Sequence, residues 1–437
     1  MQKKNTKQTA RMVLAASWLA VFCLFGFRTT FAIFQVPMTH EMHWSTTQIS
    51  GGFAIMMVVY ALSAFLSGWM IDHWGTRPAY FLAAIFGSLS YLVTSSTHSL
   101  LAYYAAYGVL GGIGTGMLWV SSTVSVRKWF AGKNYARMWG VVFMGAPVAQ
   151  IVMSFVFRHL IVTHGWRFCG RILSAIVLGC MLLSSALARK NPEDYGIEAT
   201  GPNPEPQAQE EEANWSITEA FSHRAMWTVI AVYLCSIVAE FLVWSQTVSY
   251  FVQDLKLSFG SALGMYSTIG ITGLFSMPLL GIVADKIVQR VGNEAQGRKF
   301  GIIAASVVGS FACVAMMLAG SSHAFGFLAC FLFAIYMSFS QSGVVGYAGA
   351  IYGSRYLGRI WSFATLICMG IGPATGSFVG AYLRDLTGSY SASFLFALSA
   401  FAISTAAAAT LPLAAPRPKA VRFPSKSPAL GGEIALG

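Results

Sequence analysis

The stretch Gly68-Trp69-Met70-Ile71-Asp72-His73-Trp74-Gly75-Thr76-Arg77 returns in altered form 213 residues later as Gly281-Ile282-Val283-Ala284-Asp285-Lys286, with Gly292 and Arg298 further on. Each copy closes a long apolar run. The glycines let neighbouring helices approach closely, while an aspartate at a helix end can accept bonds from a helix N-terminus or pair with a basic residue. One copy of so short a pattern says little. Two copies, with Gly and Asp each displaced by the same interval, indicate a chain built from two repeated halves. The first copy departs from the second by having His73 where Lys286 stands, which weakens any clasp there and makes it more responsive to pH.

Apolar residues make up 56% of the 437 positions, charged residues only 10% and aromatics 14%. Crossing the hydrocarbon takes about 20 mostly apolar residues per helix. Twelve such segments are expected, over 12–36, 48–71, 79–97, 100–126, 136–160, 168–188, 225–252, 259–284, 299–320, 323–353, 357–383 and 387–413. The expected fold class is therefore all-α: a polytopic membrane protein with twelve transmembrane helices in two pseudo-symmetric six-helix bundles. The bundles cover 1–190 and 225–413. Between them 191–224, with Pro192, Pro202, Pro204, Pro206 and the acidic run Glu210 to Glu212, reads as a cytoplasmic linker, and 414–437 as a cytoplasmic tail. The apolar run after Lys3, Lys4, Lys7 and Arg11 continues past the length of a signal-peptide core without a cleavage site, so it reads as the first helix. With twelve alternating spans, 22 Lys and Arg residues fall on one side and five on the other. That bias predicts both termini in the cytoplasm of a multi-pass cell-membrane protein, and the short loops favour a bacterial inner membrane. A net charge of +12 would otherwise suggest nucleic acid. Here it marks loops beside an anionic leaflet, so the lipid bilayer is the expected partner and nucleic acid is not.

A second repeat joins the fifth and eleventh segments, where Gly145 and Pro147 match Gly370, Gly372 and Pro373. Basic loops precede both: Arg127, Trp129, Phe130, Lys133, Arg137 and Gly140 before the first, Gly353, Arg355, Tyr356, Leu357, Gly358 and Arg359 before the second. With its paired Gly–Asp loops the chain resembles the major facilitator superfamily. In these two basic loops it resembles the branch that holds monocarboxylate transporters and oxalate:formate antiporters. The resemblance covers nearly the whole chain at the level of helices and loops. It implies organic-anion transport by alternating access, a central cavity lined by the first and seventh helices, and a cytoplasmic gate formed by Gly68, Asp72, Arg77, Gly281, Asp285 and Lys286. One departure bears on substrate: the branch carries charged residues in helix eight, whereas Ser261 to Ala284 has none. A single buried cation accommodates a monocarboxylate more easily than a dianion.

That cation is Arg28. It and Glu240 lie deep within apolar segments, where a charge costs at least about 2.5–3.5 kcal/mol on insertion scales and usually faces a wet cavity. Arg28 is roughly 24 Å along the first helix at 1.5 Å per residue, and the 213-residue offset maps it onto Phe241, beside Glu240. Arg28 is read as a fork for the substrate carboxylate and Glu240 as the carrier of a coupling proton. Its charged form is opposed by burial and favoured by a nearby guanidinium, so it can change state during a cycle. The bland alternative is that the two pair and hold the bundle together, although buried pairs contribute little to stability. Helical spacing nominates companions. Tyr233, Ser236, Glu240, Trp244 and Thr247 form one stripe; Tyr336, Ser340, Gly343 and Tyr347, beside Gln341, form another; Thr115, Trp119 and Ser122 form a third. Gln35 shares the face of Arg28, and Tyr60 and Gln150 complete the candidate substrate contacts. Trp44 and Tyr103, near helix ends, read as interface anchors.

Glycines at four-residue spacing, Gly108, Gly112 and Gly116 and again Gly372, Gly376 and Gly380, read as packing seams. A nucleotide loop at the first set is rejected because it lies within an apolar span and follows no strand. The seven cysteines are scattered and no Cys or His grouping has metal-ligand spacing, so neither a metal nor another cofactor is expected. Hydrolase carboxylates, a nucleophile elbow and a phosphate loop are also missing, which argues against an enzyme. Three readings follow: a monomeric proton-coupled importer of a small organic anion, an exporter of drugs or metabolites in which Glu240 recognises cations, and a non-transporting sensor on the same scaffold.

Overall fold

The computed structural model describes residues 2–130, 135–189, 217–352 and 354–414. Most of the expected linker, the tail from 415 and parts of both basic loops lie outside them, as do the side chains of Asp72 and Gln341.

Among the described residues all regular structure is helical: α1 (Gln2–Met42), α2 (Thr46–Trp74), α3 (Thr76–Thr94), α4 (Leu100–Tyr103), α5 (Gly111–Trp129), α6 (Tyr135–Phe143), α7 (Gly145–Leu187), α8 (Ile217–Ser222), α9 (Arg224–Gln253), α10 (Phe259–Val291), α11 (Glu294–Leu318), α12 (His323–Tyr352), α13 (Ser354–Thr387) and α14 (Ser391–Ala409). Ten stretches among the described residues are long and apolar enough to cross a membrane. The protein is an all-α, polytopic membrane protein of ten to twelve apolar helices. The first helix starts near residue 2 rather than 12. The expected fifth and sixth segments form one assigned helix, α7, kinked at Gly165, whose φ of 80° suits a residue without a side chain. The fifth segment is itself divided at Met144, because Pro147 has no N–H to bond the carbonyl at the end of α6. A π-helical turn, Tyr104–Leu110, joins α4 to α5.

The repeat extends to helix starts. Ser45 caps α2 by accepting from Gln48 N–H, and Ser258, again 213 residues on, caps α10 by accepting from Ser261 N–H. The glycine ladders are seams. A methyl at Gly112 or Gly116 would stand 2.6 Å from Val59 or Ser63 of α2, and one at Gly376 would collide with the Val238 carbonyl of α9. Tyr103 corrects its reading as an interface anchor: its buried ring lies against Gly52 and its hydroxyl donates to the Ile49 carbonyl at 2.9 Å.

The helices before the linker pack on one another, as do those after it. The two sets meet chiefly where α1 meets α9, α2 meets α13 and α7 meets α10. The hydrogen bonds that bridge them gather at the end opposite the Asp72 and Asp285 loops. Asp385 accepts from the N–H of Thr47 at 2.8 Å and from its hydroxyl at 2.6 Å; Ser249 donates to Gln35 at 2.6 Å; Gln246 donates to Ser50 at 3.3 Å. At the other end, the described partners of the expected gate residues lie within their own set. Arg77 donates to the Ser185 carbonyl of α7, and Asp285 pairs with Arg298 of α11 at 3.2 Å. Gly68 approaches Val120 of α5, Gly281 has open space around it, and Lys286 is exposed.

Candidate functional site

Arg28 lies in the second half of α1 and Glu240 midway along α9, α1 and α9 being one of the helix pairs across which the two sets meet. Arg28 is 7% exposed and Glu240 1%. Among the described residues no ion pair includes either one. Each has a separate setting. The Arg28 guanidinium carbon lies 5.1 Å from the Phe25 ring centre, 5.2 Å from Phe241 and 5.4 Å from Tyr60. The Glu240 Oε2 accepts from the Tyr336 hydroxyl at 3.0 Å; the same hydroxyl, whose one proton is shared, lies 3.2 Å from the Ser236 carbonyl and accepts from Ser340 at 3.4 Å.

The magnitudes say what such a cage can do. A ring over a cation contributes about 0.5–2 kcal/mol, while withdrawing an ion from water still costs several kcal/mol after relaxation. No carboxylate among the described residues lies in ion-pairing reach of the guanidinium. The cage holds the side chain in place and keeps its appetite for an anion.

Aromatic packing extends from the cage. Phe25 stacks on Trp244 with ring centres 5.8 Å apart and meets Phe143 edge-on, and Trp119 lies 6.4 Å from Phe25 and 5.4 Å from Trp139. Tyr233 packs on Trp361 at 5.5 Å. A small cleft with about 10 Å3 of free space, room for about one water, lies between the two sets, walled by Phe25, Pro147, Gln150, Trp244, Met277 and Met337. Of the expected substrate contacts, Arg28, Tyr60, Trp119, Gln150, Tyr233, Trp244 and Tyr336 are therefore gathered here.

Others are placed elsewhere. Gln35 is buried in the bridge at the end of the junction, donating to Ser50 at 2.9 Å as well as accepting from Ser249. Tyr347 donates to the Pro412 carbonyl at 2.5 Å and fastens α12 to the chain after α14. Thr115, Ser122 and Thr247 bond carbonyls of their own helices, and Ser236 bonds Ser404 of α14. Apolar surroundings leave a hydroxyl no water, so it takes the nearest carbonyl, and helical spacing does not reveal which hydroxyls are so occupied.

Phe25 and Phe241 were missed by sequence reasoning. The signal was present for both: Phe25 is one turn before Arg28, and Phe241 is the repeat mate of Arg28.

Long apolar helices meeting around two buried charges and an interior cleft define a membrane transporter. The chain belongs to the Major Facilitator Superfamily, whose model matches residues 17–369. It is thus a secondary-active transporter of small solutes and not an enzyme. Among similar proteins, the "Probable sulfoacetate transporter SauU" of Cupriavidus necator is 24% identical over 327 residues, covering 72% of this chain and 74% of that one. Monocarboxylate transporter 13 of Rattus norvegicus is 23% identical over 412 residues, covering 92% and 88%. Among solved structures, a mutant of the nucleoside transporter NupG superposes with a TM-score of 0.73 at 11% identity, over 92% of this chain and 99% of that one. A bacterial homolog to the human lysosomal transporter Spinster, inward-facing and unoccupied, gives 0.67 at 15% identity over 92% and 97%. These similarities spread over several branches, and the superfamily is what they share.

Proposed function

We propose that the chain carries an organic carboxylate, in the first place a monocarboxylate, together with protons by alternating access. Arg28 binds the carboxylate and Glu240 carries the coupling proton. The observation that carries this reading is the buried Arg28 guanidinium, held by three rings with no carboxylate in ion-pairing reach among the described residues. The names of two relatives, a probable sulfoacetate transporter and a monocarboxylate transporter, both denote carriers of carboxylates and support an anionic cargo. The same reading counts α7 as two crossings and α3 as one, for twelve in two six-helix halves, 1–190 and 225–413. It puts both termini in the cytoplasm of a bacterial inner membrane, the Thr47–Asp385 end outside and the Asp72 and Asp285 loops inside as gate, with the monomer as the working unit. It assigns the chain to the branch of the monocarboxylate transporters and oxalate:formate antiporters.

Uptake of mono-, di- and aromatic carboxylates into proteoliposomes under an inward proton gradient tests it. Saturable uptake is expected, reduced at least tenfold in Arg28→Gln, since charge-assisted hydrogen bonds contribute about 1.5–3 kcal/mol. If no carboxylate moves, or the variant transports as well as the parent, the anion site is excluded and export of cations recognised by Glu240 becomes the reading to pursue.

A further inference from the structure

The Tyr336 hydroxyl of α12 has one proton and two acceptors within its reach, the Glu240 Oε2 at 3.0 Å and the Ser236 carbonyl at 3.2 Å. Ser340, one turn along α12, donates to its oxygen at 3.4 Å. The residue is fully buried and its ring is fixed, stacked on Phe333 with ring centres 5.8 Å apart and meeting Phe401 of α14 edge-on at 4.8 Å. The turn of α9 that offers the carbonyl is fixed as well, because the Ser236 side chain is bonded to Ser404 of α14 at 2.8 Å. The phenol proton and one of its two lone pairs are thus engaged with protein, and no surface of the residue is open to a ligand.

This arrangement serves both charge states of Glu240. With the carboxylate ionised, the phenol proton points to it, since a charged acceptor binds about twice as strongly as a neutral one. With Glu240 protonated, the carboxyl O–H donates to the free lone pair of Tyr336 Oη, and the phenol proton turns about its C–O bond to the Ser236 carbonyl. The tyrosine O–H bond stays intact, no heavy atom has to move, and the buried carboxyl keeps a partner before and after the change. We infer that Tyr336 is the positioning residue of the proton site, a two-way donor that lets Glu240 gain and lose its proton in place, and not a substrate contact. This inference rests on the reading of Glu240 as the proton carrier and adds how a buried carboxyl changes charge. Near the same centre stand Arg28 of α1 with Tyr60 of α2, Tyr233 of α9 itself, and Cys368 of α13, whose thiol is turned to the Ile230 carbonyl. Tyr266 of α10 lies beside Trp244, the charges of α11 stand in its first turns, and α14 has no titratable side chain. Among the described residues Tyr336 is the one that bonds the Glu240 carboxylate.

Infrared difference spectroscopy on the purified full chain, titrated from about pH 4 to about pH 10, reads the carboxyl C=O absorption that appears as Glu240 takes up its proton. Loss of that band in Glu240→Gln assigns it. Tyr336→Phe keeps the ring and removes a hydroxyl that favours the charged carboxylate over the neutral acid, so the titration midpoint is expected to move to higher pH by roughly one unit, a tenfold tighter hold on the proton. A monofluorinated tyrosine placed at position 336 keeps the shape and the hydroxyl but donates better and accepts less well. It is expected to move the midpoint to lower pH, by roughly two- to threefold in proton concentration. A hydroxyl that merely fastened α12 to α9 would not give opposite displacements. A midpoint that fails to rise in Tyr336→Phe, or to fall in the fluorinated form, overturns this inference and leaves Glu240 as the carrier; where Tyr336→Phe does not fold, the fluorinated form decides by the same criterion. Parent protein without such a band, or with one that Glu240→Gln leaves in place, excludes Glu240 as the proton carrier and removes this inference with it.

Discussion

Arg28 and Glu240 share a junction and keep separate company, and that separation is informative at the level of single residues. A direct pair would neutralise both charges and leave nothing for a ligand to do. Here a tyrosine hydroxyl serves the carboxylate while rings surround the guanidinium, so each can answer a different partner. Glu240→Gln keeps the shape and the hydrogen bond from Tyr336 but cannot take up a proton. Uptake driven by a proton gradient is expected to disappear in this variant, while counterflow of substrate between two equal pools persists. Persistence of the gradient effect would remove Glu240 from coupling, and loss of counterflow in a folded variant would move it to binding. Both charges were legible in the sequence, because a charge inside an apolar run has few inexpensive explanations. The rings around Arg28 were only half read: Tyr60 was chosen, while Phe25, one turn before Arg28, and Phe241, its repeat mate, carried a positional signal that is easily lost among 32 phenylalanines.

Helices meet along seams that the glycine spacing announced. Four-residue spacing keeps a small residue on one face of a helix, and in a membrane such faces pack backbone to backbone. The α13 seam is the tighter test, since a methyl at Gly376 would overlap the Val238 carbonyl of α9. Gly376→Ala is expected to destabilise the folded protein by about 1–3 kcal/mol, the usual cost of overpacking, seen as a lower unfolding temperature in detergent. Gly179→Ala, at a position with open space around it, serves as the control and should change little. Equal behaviour of the two would mean that α13 and α9 slide apart freely. Which helix each ladder would face was not legible, because a glycine face is complementary to many surfaces and only the packed bundle selects among them.

Across the whole molecule, the bridges between the two sets stand at one end, with Asp385 bound to the first turn of α2. A carboxylate at an exposed helix N-terminus contributes about 0.3–1 kcal/mol. Asp385→Ala is therefore expected to shift the balance away from closure at that end by roughly two- to fivefold, measured as faster labelling of a cysteine at Ser50→Cys by an impermeant maleimide applied from that side. Unchanged labelling would show that the Asp385 contact does not hold that end closed. Apolar length and the doubled Gly–Asp loops were enough, without coordinates, to establish a polytopic helical membrane protein of the facilitator type, since hydrocarbon admits few other ways to satisfy a backbone. The same sequence singled out its two buried charges. Tertiary structure alone decided that Gln35 and Tyr347 act as fasteners, that Phe241 faces Arg28, and that Gln150 opens into a cleft with its amide unpaired. Those outcomes depend on contacts between residues more than 60 positions apart, and the order of residues along a helix shows which face a side chain occupies but not what lies opposite it.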